Sequence, residues 1–208
     1  MAEAATPPRA AGLATRLAGL LARYDGTLMR PPALPGSAPH GGRGDGAALP
    51  DATRHAPGPA LLDWCHAPAP GLRSARLQGQ GARALAEALA LHLDGSLRLQ
   101  ACHGTAARLA LRLGVKLDDL ALALGRAPRR SDCWDAGWLI DPATALARLP
   151  QWQPRRPTLL LATAPGDAPA NTMPPPPLPA AGGTPALRLL WVHEQPLPLL
   201  WQALDTAG

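Results

Sequence analysis

The stretch SLRLQACHGTAARLALRLG, Ser96 to Gly114, decides how the chain is read. Leu97, Leu99 and Ala101 alternate with Ser96, Arg98 and Gln100, the period-two pattern of a half-buried strand. Thr105 is placed to cap a helix over 106–113, and Gly114 to stop it. A strand, a tight loop and a helix follow in that order, with Cys102 at the strand's end.

Working outward, a helix is expected over 81–93, where Leu85, Leu89 and Leu93 fall in line and Asp94-Gly95 ends the pattern. LLDWCHAPAPGL (61–72) is a short apolar piece broken by prolines. Downstream, a second helix over 117–124 stops at Gly125 and a polar loop covers 126–135. WLI (138–140) reads as a short strand, and Pro142 opens a helix to Leu149. TLLLAT (158–163) and LRLLWVH (187–193) read as strands, and PLLWQAL (198–204) as a closing helix. Alternating strands and helices predict an α/β or α+β fold, a small sheet with packed helices plus proline/glycine-rich disordered segments.

The organisation follows from composition. Residues 1–29 hold an amphipathic helix in which Leu13, Leu17, Leu20 and Leu21 face away from Arg9, Arg16 and Arg23. Such a helix packs on the domain, or binds a membrane or partner. Residues 30–59 form a Pro/Gly-rich linker, 60–163 the core domain and 164–185 a Pro-rich flexible insert. Residues 186–208 return a strand and a helix to the core. The Arg43-Gly44-Asp45 triplet reads as chance in that linker, and Pro174 to Pro177 as a rigid spacer.

The chain has no Phe, one Tyr (Tyr24), one Ile (Ile140) and one Lys (Lys116). Leucine and alanine must therefore fill the core, with the six tryptophans as its large pieces. The net charge of +5 comes almost wholly from scattered arginines, which argues against a dedicated nucleic-acid surface. Three cysteines make no disulfide framework and point to a reducing compartment. No signal-peptide core and no spanning segment is found, so a cytoplasmic protein is expected, with signal-less secretion left open.

Cys102-His103-Gly104-Thr105-Ala106-Ala107-Arg108 has the form Cys-x5-Arg. This resembles the phosphate-binding loop of cysteine-dependent phosphatases, the tyrosine and dual-specificity families. The resemblance implies Cys102 as a thiolate nucleophile passing through a phosphocysteine, and Arg108 as a bidentate phosphate clamp. Backbone amides of His103, Gly104, Thr105, Ala106 and Ala107 would cradle the phosphate at the helix N-terminus. In the tyrosine-phosphatase group a Trp-Pro-Asp loop supplies the general acid. Trp64-Cys65-His66 precedes helix 81–93 in the same order, so His66 or the neighbouring Asp63 would protonate the leaving oxygen. No metal or cofactor is required, and the partner would be a phosphorylated substrate. The chain departs from the family in having Ala101 before the cysteine, Leu109 after the arginine and no second loop glycine.

Two other readings compete. One is a non-enzymatic adaptor whose helices and Pro-rich arms bind a protein partner. The other is a helix-turn-helix over residues 106–125, with Leu109, Leu113, Val115 and Leu120 as its shared core. Asp118 and Asp119 on its recognition face would be repelled by phosphates. Adjacent Cys65-His66 and Cys102-His103 pairs, with Cys133, supply soft ligands at an awkward spacing for zinc. A Gly-rich nucleotide loop, a Gly-x-Ser-x-Gly elbow and a His-Glu-x-x-His helix are read as absent. Substrate, partner and oligomeric state are not legible.

Overall fold

Two apolar runs, TLLLAT and LRLLWVH, lie side by side at the centre of a six-stranded sheet. They are buried along almost their whole length, as strands covered on both faces must be. The computed structural model describes residues 26–32, 58–68, 71–152, 154, 156–163 and 185–204. In chain order the elements are β1 (Met29–Arg30), α1 (Pro59–His66), β2 (Leu72–Gln78), α2 (Ala82–Leu93), α3 (Ser96–Ala101) and α4 (Thr105–Ala123). Then come β3 (Asp135–Leu139), α5 (Pro142–Arg148) with a 3-10 turn at Leu149–Gln151, β4 (Thr158–Thr163), β5 (Leu187–His193) and β6 (Leu200–Leu204). The sheet order is β1-β3-β4-β5-β2-β6. The four inner strands are parallel, and β1 and β6 close the edges antiparallel. The expected mixed α and β architecture is the one observed.

Side-chain alternation divides the core between the two faces. On one, Ala75, Leu77, Ala136, Trp138, Leu159, Leu161, Leu190 and Val192 meet α1 and α2. Ala82, Ala86 and Ala90 of α2 are small and fully buried, which lets the helix sit close on the sheet. On the other face, Leu160, Ala162, Leu187, Leu189 and Trp191 meet Leu28, Met29, Ala145, Leu146 and Leu149. Trp64, Trp134, Trp138 and Trp191 are all buried, as large residues of a core lacking phenylalanine should be.

A charge lies inside this apolar layer. Arg188 on β5 is fully buried, and no carboxylate bonds to it among the described residues. Its guanidinium donates to the carbonyls of Trp64, Ala67 and Leu187 at 3.3, 2.7 and 3.1 Å. Trp64 and Ala67 end α1, so the cation closes the negative end of that helix. Burial, with Arg73 nearby, lowers its pKa to about 10, still well above neutrality.

Three expectations are corrected, and one strand carries no clear sequence signal. Residues 96–101 form helix α3, not a strand. Leu, Arg, Gln and Ala are helix formers without a β-branched residue among them, and the Asp94 carboxylate accepts the Ser96 amide and hydroxyl at 2.7 and 2.9 Å, starting the turn. The two helices expected over 106–113 and 117–124 are one, α4, which begins after Gly104 rather than on a Thr105 cap and runs straight through Gly114. The closing helix over 198–204 is instead β6, paired with β2 from Ser74↔Leu204 to Gln78↔Leu200. Trp201 on that strand reaches the Trp64 ring at 6.5 Å. Finally, β2 was hidden in sequence by Arg73 and Arg76, which break the apolar alternation. The expected helix over 9–24, nearly all of the 30–59 linker and of the 164–185 insert lie outside the described residues; Arg30, at the start of that linker, belongs to β1.

The β2–α2 turn is held from far along the chain. The amides of Gly81 and Arg83 donate to the two oxygens of Glu194 at 2.7 and 2.9 Å. No side chain of the turn itself caps the helix, so this carboxylate satisfies its first amides and its dipole. Gly79 has φ +118°, and a Cβ there would lie 2.5 Å from the Pro198 carbonyl oxygen. Glycine is needed twice over, for the dihedral and for the contact. Glu194→Ala is expected to cost about 1–2 kcal/mol of stability, read as a lower midpoint in chemical denaturation with unchanged far-UV circular dichroism.

Candidate functional site

Cys102 lies in a three-residue break between α3 and α4, half-buried. The element before it is a helix, so the strand–loop–helix setting that a phosphate cup requires is absent. Arg108 is engaged by the backbone. Its Nε donates to the Cys102 carbonyl at 3.3 Å, satisfying the end of α3. His103, Gly104, Thr105, Ala106 and Ala107 are all exposed, and no side chain caps the start of α4.

The two expected acids belong elsewhere. Asp63 sits on α1 and pairs with Arg130 at 3.0 Å in an exposed ion pair, a contact of small energetic weight. His66 packs edge-on against Trp134 at 5.6 Å. Burial first, then the positive Arg130 and His92, hold its imidazole below the ordinary range. A histidine so placed is neutral at pH 7 and carries no proton to donate as imidazolium. Among the described residues no hydrogen bond, ion pair or ring contact joins Asp63 or His66 to Cys102. Nor do three or more His, Cys, Asp or Glu side chains gather there to hold a metal ion.

One loop missed in the sequence is plain in the structure. Gly79-Gln80-Gly81-Ala82-Arg83-Ala84 is a Gly-x-Gly-x-x-Ala run between a strand and a helix, the setting in which such runs hold a pyrophosphate. The spacing alone would have found it. Here its amides are taken by Glu194, and the Pro198–Leu199 backbone lies against Gly79. The chain's own carboxylate fills the anion position.

The most unusual surface is α4. None of its described side chains is fully buried over 19 residues. Leu111, Val115 and Leu122 are half-buried. Leu109, Leu113, Leu117 and Leu120, with Leu124 at the C-cap, are 59%, 56%, 66%, 41% and 59% exposed. The helix thus carries apolar residues on two sides, and only one side meets the body. The leucines expected to form a shared helix-turn-helix core are the exposed ones, and the turn that motif needs does not exist.

Ion pairs fix this orientation. Asp119 takes two hydrogen bonds from the guanidinium of Arg156, which lies just before β4 and also reaches Asp135 at 3.7 Å. Arg156 and Asp135 are both buried. Asp118 pairs with Arg126 at 3.2 Å, and Arg126 with buried Asp132 at 3.0 Å. These acids lie on the side of α4 away from the leucine row, so the row must point outward.

Compared with known proteins, the chain matches no family model, no curated protein and no solved structure. No helix among the described residues is long and apolar enough to cross a membrane.

Two outcomes follow. Asp119→Ala strips Arg156 of its strongest partner and should lower stability by about 3 kcal/mol, with Asp119→Asn recovering only part of it, as measured by urea denaturation. A thiol reagent at pH 8 should modify Cys102 in the native protein. Burial pushes the Cys65 thiol up to about 12 and raises that of Cys133, so both should react only on unfolding. Peptide mass mapping against time checks the order, and rapid labelling of Cys65 would contradict it.

Proposed function

We propose that this protein is a non-enzymatic adaptor whose α4 helix docks a protein partner along its outward leucines. The observation that carries the reading is the row Leu109, Leu113, Leu117, Leu120 and Leu124, more than two-fifths exposed at every position. A contiguous apolar row on an ordered surface is a recognised mark of an interaction site. Its last four members are spaced four, three and four residues apart, the seam along which two helices interlock. The clamps at Asp118 and Asp119 present that row without leaving it free to fold inward.

The phosphatase reading draws no comparable support. Its arginine is spent on a carbonyl, its strand is a helix, and among the described residues no hydrogen bond or ion pair joins either acid to the cysteine.

The reading is tested by placing a photo-crosslinking residue at position 113 or 117 in cells that make the full chain. A discrete adduct should form from both positions, and from neither position 143 on α5 nor a chain carrying Leu120→Glu. Free chain alone from positions 113 and 117 would overturn the reading.

A further inference from the structure

Resting on the adaptor reading, we infer that the α4 partner is an amphipathic helix whose flank is acidic. The charges beside the leucine row are one-signed. Arg112 lies one turn from Leu109, and Lys116 one turn from both Leu113 and Leu120. Both cations are exposed, and neither forms an ion pair among the described residues. The helix's two acids offer no balance, since Asp118 is held by Arg126 and Asp119, one turn from Lys116, is held by Arg156. A partner ridge seated on the leucines therefore meets uncompensated positive charge along one border. On the other border stand Ala110, Gly114 and Ala121, and a Cβ on Gly114 would meet nothing within 4 Å. That side admits a close-packed helix without demanding charge.

The complementary occupant carries leucines at four- and three-residue spacing and glutamates or aspartates on the flank facing Arg112 and Lys116. Two occupants from this same chain fit less well. A second copy brings the same cations on the same helix. Residues 9–24 bring Arg9, Arg16 and Arg23 and no acid at all. An anionic membrane supplies the charge but no row of side chains to interlock with the four-three spacing.

The experiment uses the full chain and two labelled helical peptides with leucines at that spacing. One has glutamates at the flanking positions, the other lysines, and binding is followed by fluorescence anisotropy at 50 and 300 mM salt. The glutamate peptide should bind about tenfold or more tightly than the lysine peptide at low salt, with the gap narrowing at high salt. The Arg112→Glu/Lys116→Glu variant, shown folded by its melting curve, should reverse the preference. Equal binding of both peptides, lost in Leu117→Glu, overturns the acidic flank and leaves the docking reading standing. Binding of neither peptide overturns the inference, and if position 113 also yields no adduct in cells, the docking reading falls with it. Ridge-dependent sedimentation with phosphatidylglycerol vesicles, a ridge-dependent dimer in analytical ultracentrifugation, or peptide binding seen only after removal of residues 1–24 would each overturn it in favour of another occupant.

Discussion

The guanidinium of Arg156 joins the sheet to the helix that the functional reading depends on. It lies buried where β3 and β4 begin, with Asp119 on one side and Asp135 on the other. A lone arginine in that position would be costly to desolvate, and two carboxylates make it tolerable. The arrangement is a constraint more than a source of stability. Because Asp119 must stay with the cation, α4 cannot rotate to bury its leucines, and the outer row is a consequence of that inner pairing.

A second long-range contact works the same way at the other side of the sheet. Glu194 closes the first turn of α2 across 113 residues of sequence. With Arg188 ending α1 through its carbonyl bonds, both helices on that face have a terminus satisfied by a side chain from the β5 region. Charged groups here serve as end-pieces for helices, and the apolar layer between them is left to leucine, alanine and tryptophan.

How much of this was legible beforehand depended on residue chemistry more than on pattern length. TLLLAT and LRLLWVH were readable because buried parallel strands are continuous apolar runs. The α2 helix was readable from its leucine period. SLRLQA misled because alternation over six residues is weak when every residue after Ser96 favours a helix and no β-branched side chain votes for a strand. The cysteine loop inherited its promise from that error. Gly114 misled in the opposite direction: it resembles a stop, yet it lies inside a continuous helix. The outward leucines were visible as leucines, but nothing in the sequence distinguishes a stripe that faces the core from one that faces water. That distinction was made by Asp118 and Asp119, whose partners Arg126 and Arg156 are eight and 37 residues away.

Gly114 has a mechanical consequence. Glycine at the middle of a helix weakens it by about 1 kcal/mol relative to alanine, and here it separates two unequal halves. The carboxyl-terminal half is bolted through Asp118 and Asp119, while in the amino-terminal half, bearing Leu109 and Leu113, the Arg108 side chain bonds back to the Cys102 carbonyl just before the helix. An alanine at position 114, whose Cβ would meet nothing within 4 Å, would therefore strengthen the helix where its two halves join.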